Sequence, residues 1–551
     1  MRKFTEIAGR IAILWLAITP VAGWAQATAE HLRQAIEYAH DSGDSEFAGT
    51  RLIAVDFLAR FYEARRFEPA WTDPGNLEMV LAALEGADGH GLLPRDFHIY
   101  AIRLLRYMQS ERPDDTRLKA NLDLLLTDGL VTYAYQLVYG KVDPRAHSAS
   151  WNLSRPLLSR EPEEILQSAL TEGNLDEVLL SLIPALPYYA SMQKQLAKHR
   201  QLTNRGGWPT VREGDTLRLG DRDPRVPAVR DRLAAEYGDA EASVGNPLIF
   251  EPALEQRVRR FQEQHALAVD GVLGPATVRA MNVTVAQRLD QIRVNLERAR
   301  WVQHEFVDAQ HFVIVNIAGF NVRLYRDGEI EWETRAIVGT EYHQTPIFAA
   351  DMKYVVLNPT WTVPRSIIQN EMFPQMKADA SYLPARNFVL VDKAGTNVDP
   401  ATLDWASLDA ENFNYDLIQR SGPGNALGMA KFIFPNAHAV YLHDTPSREL
   451  FARTGRTFSH GCVRIENPLE LAARLLGDQL DWTRDAIDQT VKGGRTTTVY
   501  LTEPLRVFVL YWTAEPAGDE GVRFYDDVYQ RDAAVLAALD SEFRSLTPED
   551  R

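Results

Sequence analysis

One cysteine, Cys462, stands in a chain of 551 residues. A single cysteine excludes an intramolecular disulfide and a cysteine-rich zinc site. Positive charge is also in short supply, with 59 Lys and Arg against 75 Asp and Glu and a formal charge of −16. A chain this acidic does not read as a partner of nucleic acid, DNA or RNA, or of an anionic membrane surface. Beyond the N-terminus, no stretch approaches the ~18 consecutive apolar residues of a membrane-spanning helix. What is present is ordinary globular composition, 45% hydrophobic and 24% charged, which excludes wholesale disorder. A prior of about 150 residues per domain predicts three or four domains.

The N-terminus reads as an export leader. Arg2, Lys3 and Arg10 make a basic start, an apolar stretch follows over 11–22, and Ala25-Gln26-Ala27 has the small–x–small form of a cleavage site. The spacing predicts a signal peptide over 1–27. Export sharpens the meaning of Cys462, because an oxidising compartment threatens free thiols. A lone thiol there is either buried and inert or kept for its reactivity.

The period along the chain then changes twice. Over 28–205 the pattern is helical, as in Leu118, Leu122, Leu125, Leu126, Leu130 and Tyr133, with a stop at Gly140. A loop-like stretch, Asn204 to Pro209, precedes a compact unit over 211–285. Val226, Val229 and Leu233 stripe one helix of that unit, and Leu254, Val258 and Phe261 a second. Asp270-Gly271 turns into a third helix opened by Pro275. From 310 to 540 the period is that of strands. Asp327-Gly328 reads as a hairpin turn, and 365–428 as a partly helical insertion capping a site. The expected fold class is multidomain α+β: a helical scaffold, a small three-helix module and a mostly β domain.

Chemistry concentrates in Ser459-His460-Gly461-Cys462-Val463-Arg464 and, upstream, Tyr441-Leu442-His443-Asp444-Thr445-Pro446. Cysteine chemistry needs the thiolate, and a neighbouring His together with the charge of Arg464 lowers a thiol pKa. His443 ends an apolar strand, a rigid seat for an imidazole. Gly461 lets the backbone approach closely, so that amide groups near it can form an oxyanion hole. This is the equipment of acyl transfer through a thioester. No metal or cofactor is expected, since one Cys with scattered His makes a poor ligand set. Asp444 follows His443 directly, and consecutive strand residues face opposite ways. Its backbone carbonyl is therefore the expected route for orienting His443, rather than its carboxylate.

These two segments resemble the signature of the YkuD-type L,D-transpeptidases. So do Val338-Gly339…Thr345-Pro346, Asn358-Pro359-Thr360-Trp361 and Gly422-Pro423-Gly424-Asn425-Ala426-Leu427-Gly428. The compact unit, with Phe261-Gln262 and Asp270-Gly271…Gly274…Thr277, resembles a peptidoglycan-binding module. The order of parts is similar to the large periplasmic members from Gram-negative bacteria. The resemblance implies peptidoglycan tetrapeptide stems as donor and acceptor, and a periplasmic location. It makes Cys462 the nucleophile and His443 its base, with His460 and Gly461 shaping the oxyanion hole. Ser459 and Arg464 would support the loop and its field. It implies a 3→3 cross-link between diaminopimelate residues, acylation by carbapenems, and glycan contact through the small module. Hydrolysis of the same bond by an L,D-carboxypeptidase or amidase is the competing enzymatic reading. A non-catalytic wall-binding scaffold is the competing one outside enzymes, and the motif order does not suit a papain-like protease.

Overall fold

The computed structural model describes residues 19–42, 45–153, 159–238, 246–306, 309–379, 381–518, 521–544 and 546. Most of the expected leader lies outside these residues. The first described helix, Thr19–Ser42, begins inside it. Among the described residues no helix is long and apolar enough to cross a membrane.

The N-terminal helices pack round the Thr116–Tyr139 helix, which stops at Gly140 with φ +85°. Two of its buried acids clamp neighbours. Asp128 accepts from the Ile53 and Ala54 amides, and Asp123 from those of Ala70 and Trp71. The compact unit has its three helices at Val226–Tyr237, Pro252–Gln264 and Pro275–Met281. They close over Val229, Leu233, Leu254, Val258 and Phe261.

A long helix, Val285–Phe306, leaves this unit and was not anticipated. It buries charge as well as apolar surface, which blurs its period. Arg300 and Glu297 are fully buried and paired at 2.6 Å. Glu297 also accepts the Val142 amide, and Arg300 donates to the His90 carbonyl. The helix is thereby tied to the helical scaffold.

The main sheet of the C-terminal domain has, among the described residues, nine strands: β1 His311–Asn316, β2 Asn321–Arg326, β3 Glu329–Gly339, β4 Phe348–Leu357, β5 Ala430–Ile433, β6 Leu442–His443, β7 Thr457–Ser459, β8 Val463–Ile465 and β9 Thr497–Leu510. Their order is β7-β3-β8-β6-β5-β4-β9-β1-β2, and β2 also pairs with β3, so the sheet closes on itself. Closure leaves β7 alone at an edge, and the enclosed core holds Val313, Val315, Val355, Phe432, Leu442, Val463 and Val507. Asp327 and Gly328 both have positive φ, as a two-residue hairpin between right-twisted strands requires.

Residues 497–510 form a single strand, β9, with an irregularity between Tyr500 and Leu505. The insertion over 365–428 combines helical turns with short strands. It holds strands Phe388–Val391, Asn397–Val398 and Asp416–Gln419, the last paired with Trp361–Thr362 just ahead of the insertion, and its own core round Phe373, Leu390, Phe413 and Leu417.

Candidate active site

Strand register gathers the reactive residues on one face. β6 lies parallel to β8, with His443 opposite Arg464, and antiparallel to β5, with Lys431 opposite His443. Opposed residues share a face, as do residues two apart along a strand. Tyr441 and Cys462, each two residues back along its chain, therefore join Lys431, His443 and Arg464. The contacts agree. The Tyr441 hydroxyl and amide both hydrogen-bond the Cys462 sulfur. Lys431 Nζ sits 3.9 Å from the Tyr441 ring centroid, and the His443 ring lies 5.5 Å from it. Cys462 Sγ is 3.8 Å from the Ala439 carbonyl oxygen. Beside Ala439 opens a cavity of about 300 Å³ lined by Phe348, Asp351, Lys353, Asn436 and His438.

His443 is buried, and its Nδ1–H donates to the Asp444 backbone carbonyl at 2.5 Å. The tautomer is thus fixed, with the Nε2 lone pair left free to accept a proton. Burial, then Arg464, pushes the His443 pKa down to about 3, and Lys431 adds to the effect. Burial also pushes the Cys462 thiol above its usual range, against the hydrogen bonds of Tyr441 and the charges of Lys431 and Arg464. This differs from the expected lowering of the thiol pKa by a neighbouring His. Desolvation penalises both charged forms, so the Cys462 thiol and the His443 imidazole both rest neutral.

The motif residues around this pair are its supports. Ser459 Oγ donates to the Cys462 carbonyl at 2.5 Å and accepts the Gly461 amide at 3.1 Å. The Gly461 amide is therefore spent on the turn and is not open to an oxyanion. What position 461 needs from glycine is its φ of +107°. The buried Thr345 hydroxyl donates to the Gly461 carbonyl and accepts the Gly339 amide, both at 2.9 Å. That pair of bonds explains the Gly339…Thr345 pairing in the sequence. The Asp444 carboxylate points away from His443, accepting the Met429 amide at 2.8 Å and pairing with Arg448 at 2.6 Å. Gly428 sits so close that a Cβ there would overlap that carboxylate.

His460 lies apart from His443, half-exposed. Its Nε2 is 2.6 Å from Glu371 Oε1, on the insertion, and its ring is 4.9 Å from that of His343. Tyr441, Lys431, Thr345 and Glu371 carried no role in the sequence reading. The two-residue step from Tyr441 to His443 was the available signal for the first. The others depend on pairings across the fold. Among the described residues, no group of three or more His, Cys, Asp or Glu side chains is placed to hold a metal ion.

With this geometry in hand, the chain can be compared with known proteins. Residues 310–500 match the model of the L,D-transpeptidase catalytic domain, YkuD. Residues 222–281 match a "Putative peptidoglycan binding domain", and 56–196 a scaffold domain. The class is thus a mixed α+β, multidomain protein with a mostly β catalytic domain. In particular, its C-terminal part is similar to the YkuD L,D-transpeptidase catalytic domain and the compact unit before it to a putative peptidoglycan binding domain. A "Putative L,D-transpeptidase" of Haemophilus influenzae is 38% identical over 224 residues, 41% of this chain and 44% of that protein. The N-acetylmuramoyl-L-alanine amidase CwlM of Mycobacterium tuberculosis is 36% identical over 80 residues, 13% of this chain and 20% of that protein. The chain spans less than half the length of these curated relatives. A solved L,D-transpeptidase from Xylanimonas cellulosilytica is 15% identical, covering 54% of this chain and 99% of its own, with a TM-score of 0.18.

Proposed function

We propose that this protein is a periplasmic L,D-transpeptidase, exported by a leader over 1–27, that joins two peptidoglycan stems by a 3→3 cross-link. The supporting observation is the fixed His443 tautomer on the face that also presents Cys462. In the proposed reaction Cys462 gives its proton to His443 Nε2 as Sγ attacks the carbonyl of the donor's diaminopimelate. The C–S bond forms, the amide C–N bond breaks, and the departing D-Ala amine takes the proton from His443. The acceptor's side-chain amine then gives up a proton to His443 and attacks the thioester. A new C–N bond forms, the C–S bond breaks, and the thiolate regains its proton. The low basicity of His443 matches this use: the buried imidazole rests neutral and passes on at each step the proton it has taken.

Around this centre the proposed parts are a scaffold over 28–205, a glycan-binding module over 211–285 and a catalytic domain over 310–540 capped by 365–428. The deciding experiment treats the mature protein with a carbapenem and, separately, with tetrapeptide muropeptides, and reads intact mass and products. The expected result is one adduct, lost in Cys462→Ala, and cross-linked dimers. Absence of an adduct, or one that survives Cys462→Ala, would overturn the nucleophile. A tripeptide product without dimers would make the enzyme a hydrolase.

A further inference from the structure

We propose that Glu371, on the capping insertion, is the binding group for the acceptor's ammonium and so selects an amine over water at the thioester. The inference rests on the transpeptidase reading and concerns only its second half. The acceptor amine, with a pKa near ~10, arrives as an ammonium and gives one proton to solvent before the free amine attacks. The thiol it must approach is flanked by Lys431 and Arg464. Those cations stabilise a thiolate, but once Cys462 is acylated that negative charge is gone and they repel an incoming ammonium.

A compensating anion is needed beside the nucleophile loop, and Asp444 does not supply it, being committed to Arg448 and the Met429 amide. Among the described residues, the carboxylate hydrogen-bonded to the Ser459-His460-Gly461-Cys462 segment is that of Glu371, through His460. Its Oε1 is held at 2.6 Å by His460 Nε2 while Oε2 has no partner among the described residues. Glu371 and His460 are 47% and 39% exposed, so a ligand can reach the pair.

The carboxylate is also rigidly seated. Glu371 lies on a π-helical turn, Ile368–Met372, a rare form that is frequent at functional sites. The turn is pinned by Ile368, Met372 and Phe373 in the core of the insertion. A carboxylate presented by one element to the loop of another, with one oxygen clamped and one open, suits a primary ammonium.

The test is Glu371→Gln, which keeps the size and a hydrogen bond to His460 but removes the charge. Acylation of Cys462 by a carbapenem, read by intact mass, is expected to stay within about twofold. The ratio of cross-linked dimer to hydrolysed tripeptide is expected to fall roughly tenfold or more, the loss of one charge-assisted hydrogen bond. Glu371→Asp is expected to retain most of the ratio. Hydroxylamine, a nucleophile uncharged at neutral pH, is expected to resolve the thioester equally in wild type and Glu371→Gln. A Glu371→Gln enzyme with the wild-type ratio, or one equally slowed toward hydroxylamine, would overturn the proposal. Wild type that takes no adduct would instead overturn the transpeptidase reading itself.

Discussion

Replacing Tyr441 by Phe tests the electrostatic account of the thiol directly. The phenol hydrogen-bonds the Cys462 sulfur, and the substitution removes that bond while keeping the ring over which Lys431 sits. A hydrogen bond to a charged group contributes about 1.5–3 kcal/mol, and about 1.4 kcal/mol corresponds to one pH unit. The Cys462 thiol pKa should therefore rise by about one to two pH units. The thiolate fraction at neutral pH falls about 10- to 100-fold, but the remaining thiolate is more nucleophilic, with a Brønsted slope of about 0.45. The net loss in rate is about 3- to 12-fold. The assay is alkylation of Cys462 by iodoacetamide across pH, followed by intact mass, with thermal melting as the folding control. The curve should move to higher pH with its plateau raised about 3- to 8-fold. A variant that folds normally and alkylates with the wild-type pH profile would refute the claim that the phenol stabilises the thiolate.

Three further outcomes are expected. Thr345→Val leaves the Gly461 carbonyl and the Gly339 amide unpaired in a buried site, at about 1–3 kcal/mol each. It should lower the melting temperature and slow carbapenem acylation at least about tenfold. Gly428→Ala forces a methyl against the Asp444 carboxylate at a position with φ +59°. It should destabilise by about 2 kcal/mol or more and impair acylation more than binding, read as kcat against KM. Burial drives the pKa values of His90 and His265 down to about 4 and that of His443 to about 3. An unfolded His titrates near ~6.5, so the unfolded chain takes up protons first as pH falls. Stability from these groups is complete above about pH 6.5 and is lost on acidification toward about 4, at about 1.4 kcal/mol per pH unit for each His. Melting temperatures measured across that window should fall with pH, and His265→Gln should flatten the slope.

Much of the fold was legible because local rules and global packing agreed. The apolar spacing of Val226, Val229 and Leu233 is a helix in the structure, and Asp327-Gly328 is a hairpin turn. The Val285–Phe306 helix was illegible because its buried face includes Arg293, Glu297 and Arg300, whose burial depends on partners in other parts of the chain. The strands of the insertion were hidden for a related reason. They are two to four residues long and gain their apolar character only by stacking on one another.

The sequence by itself determined the chemistry on offer: one thiol, a His two residues before it, a second at a strand end, and a glycine between thiol and loop. Motif spacing carries that information because strand period and turn residues act within a few positions. Only the tertiary structure decided how those groups divide the work. Register between β5, β6 and β8 set Lys431, Tyr441, His443 and Arg464 round Cys462. Burial then made the resting pair neutral, committed the Gly461 amide to Ser459, and turned His460 toward Glu371. Desolvation and cross-strand contacts arise from chain segments far apart in sequence, and no local pattern encodes them.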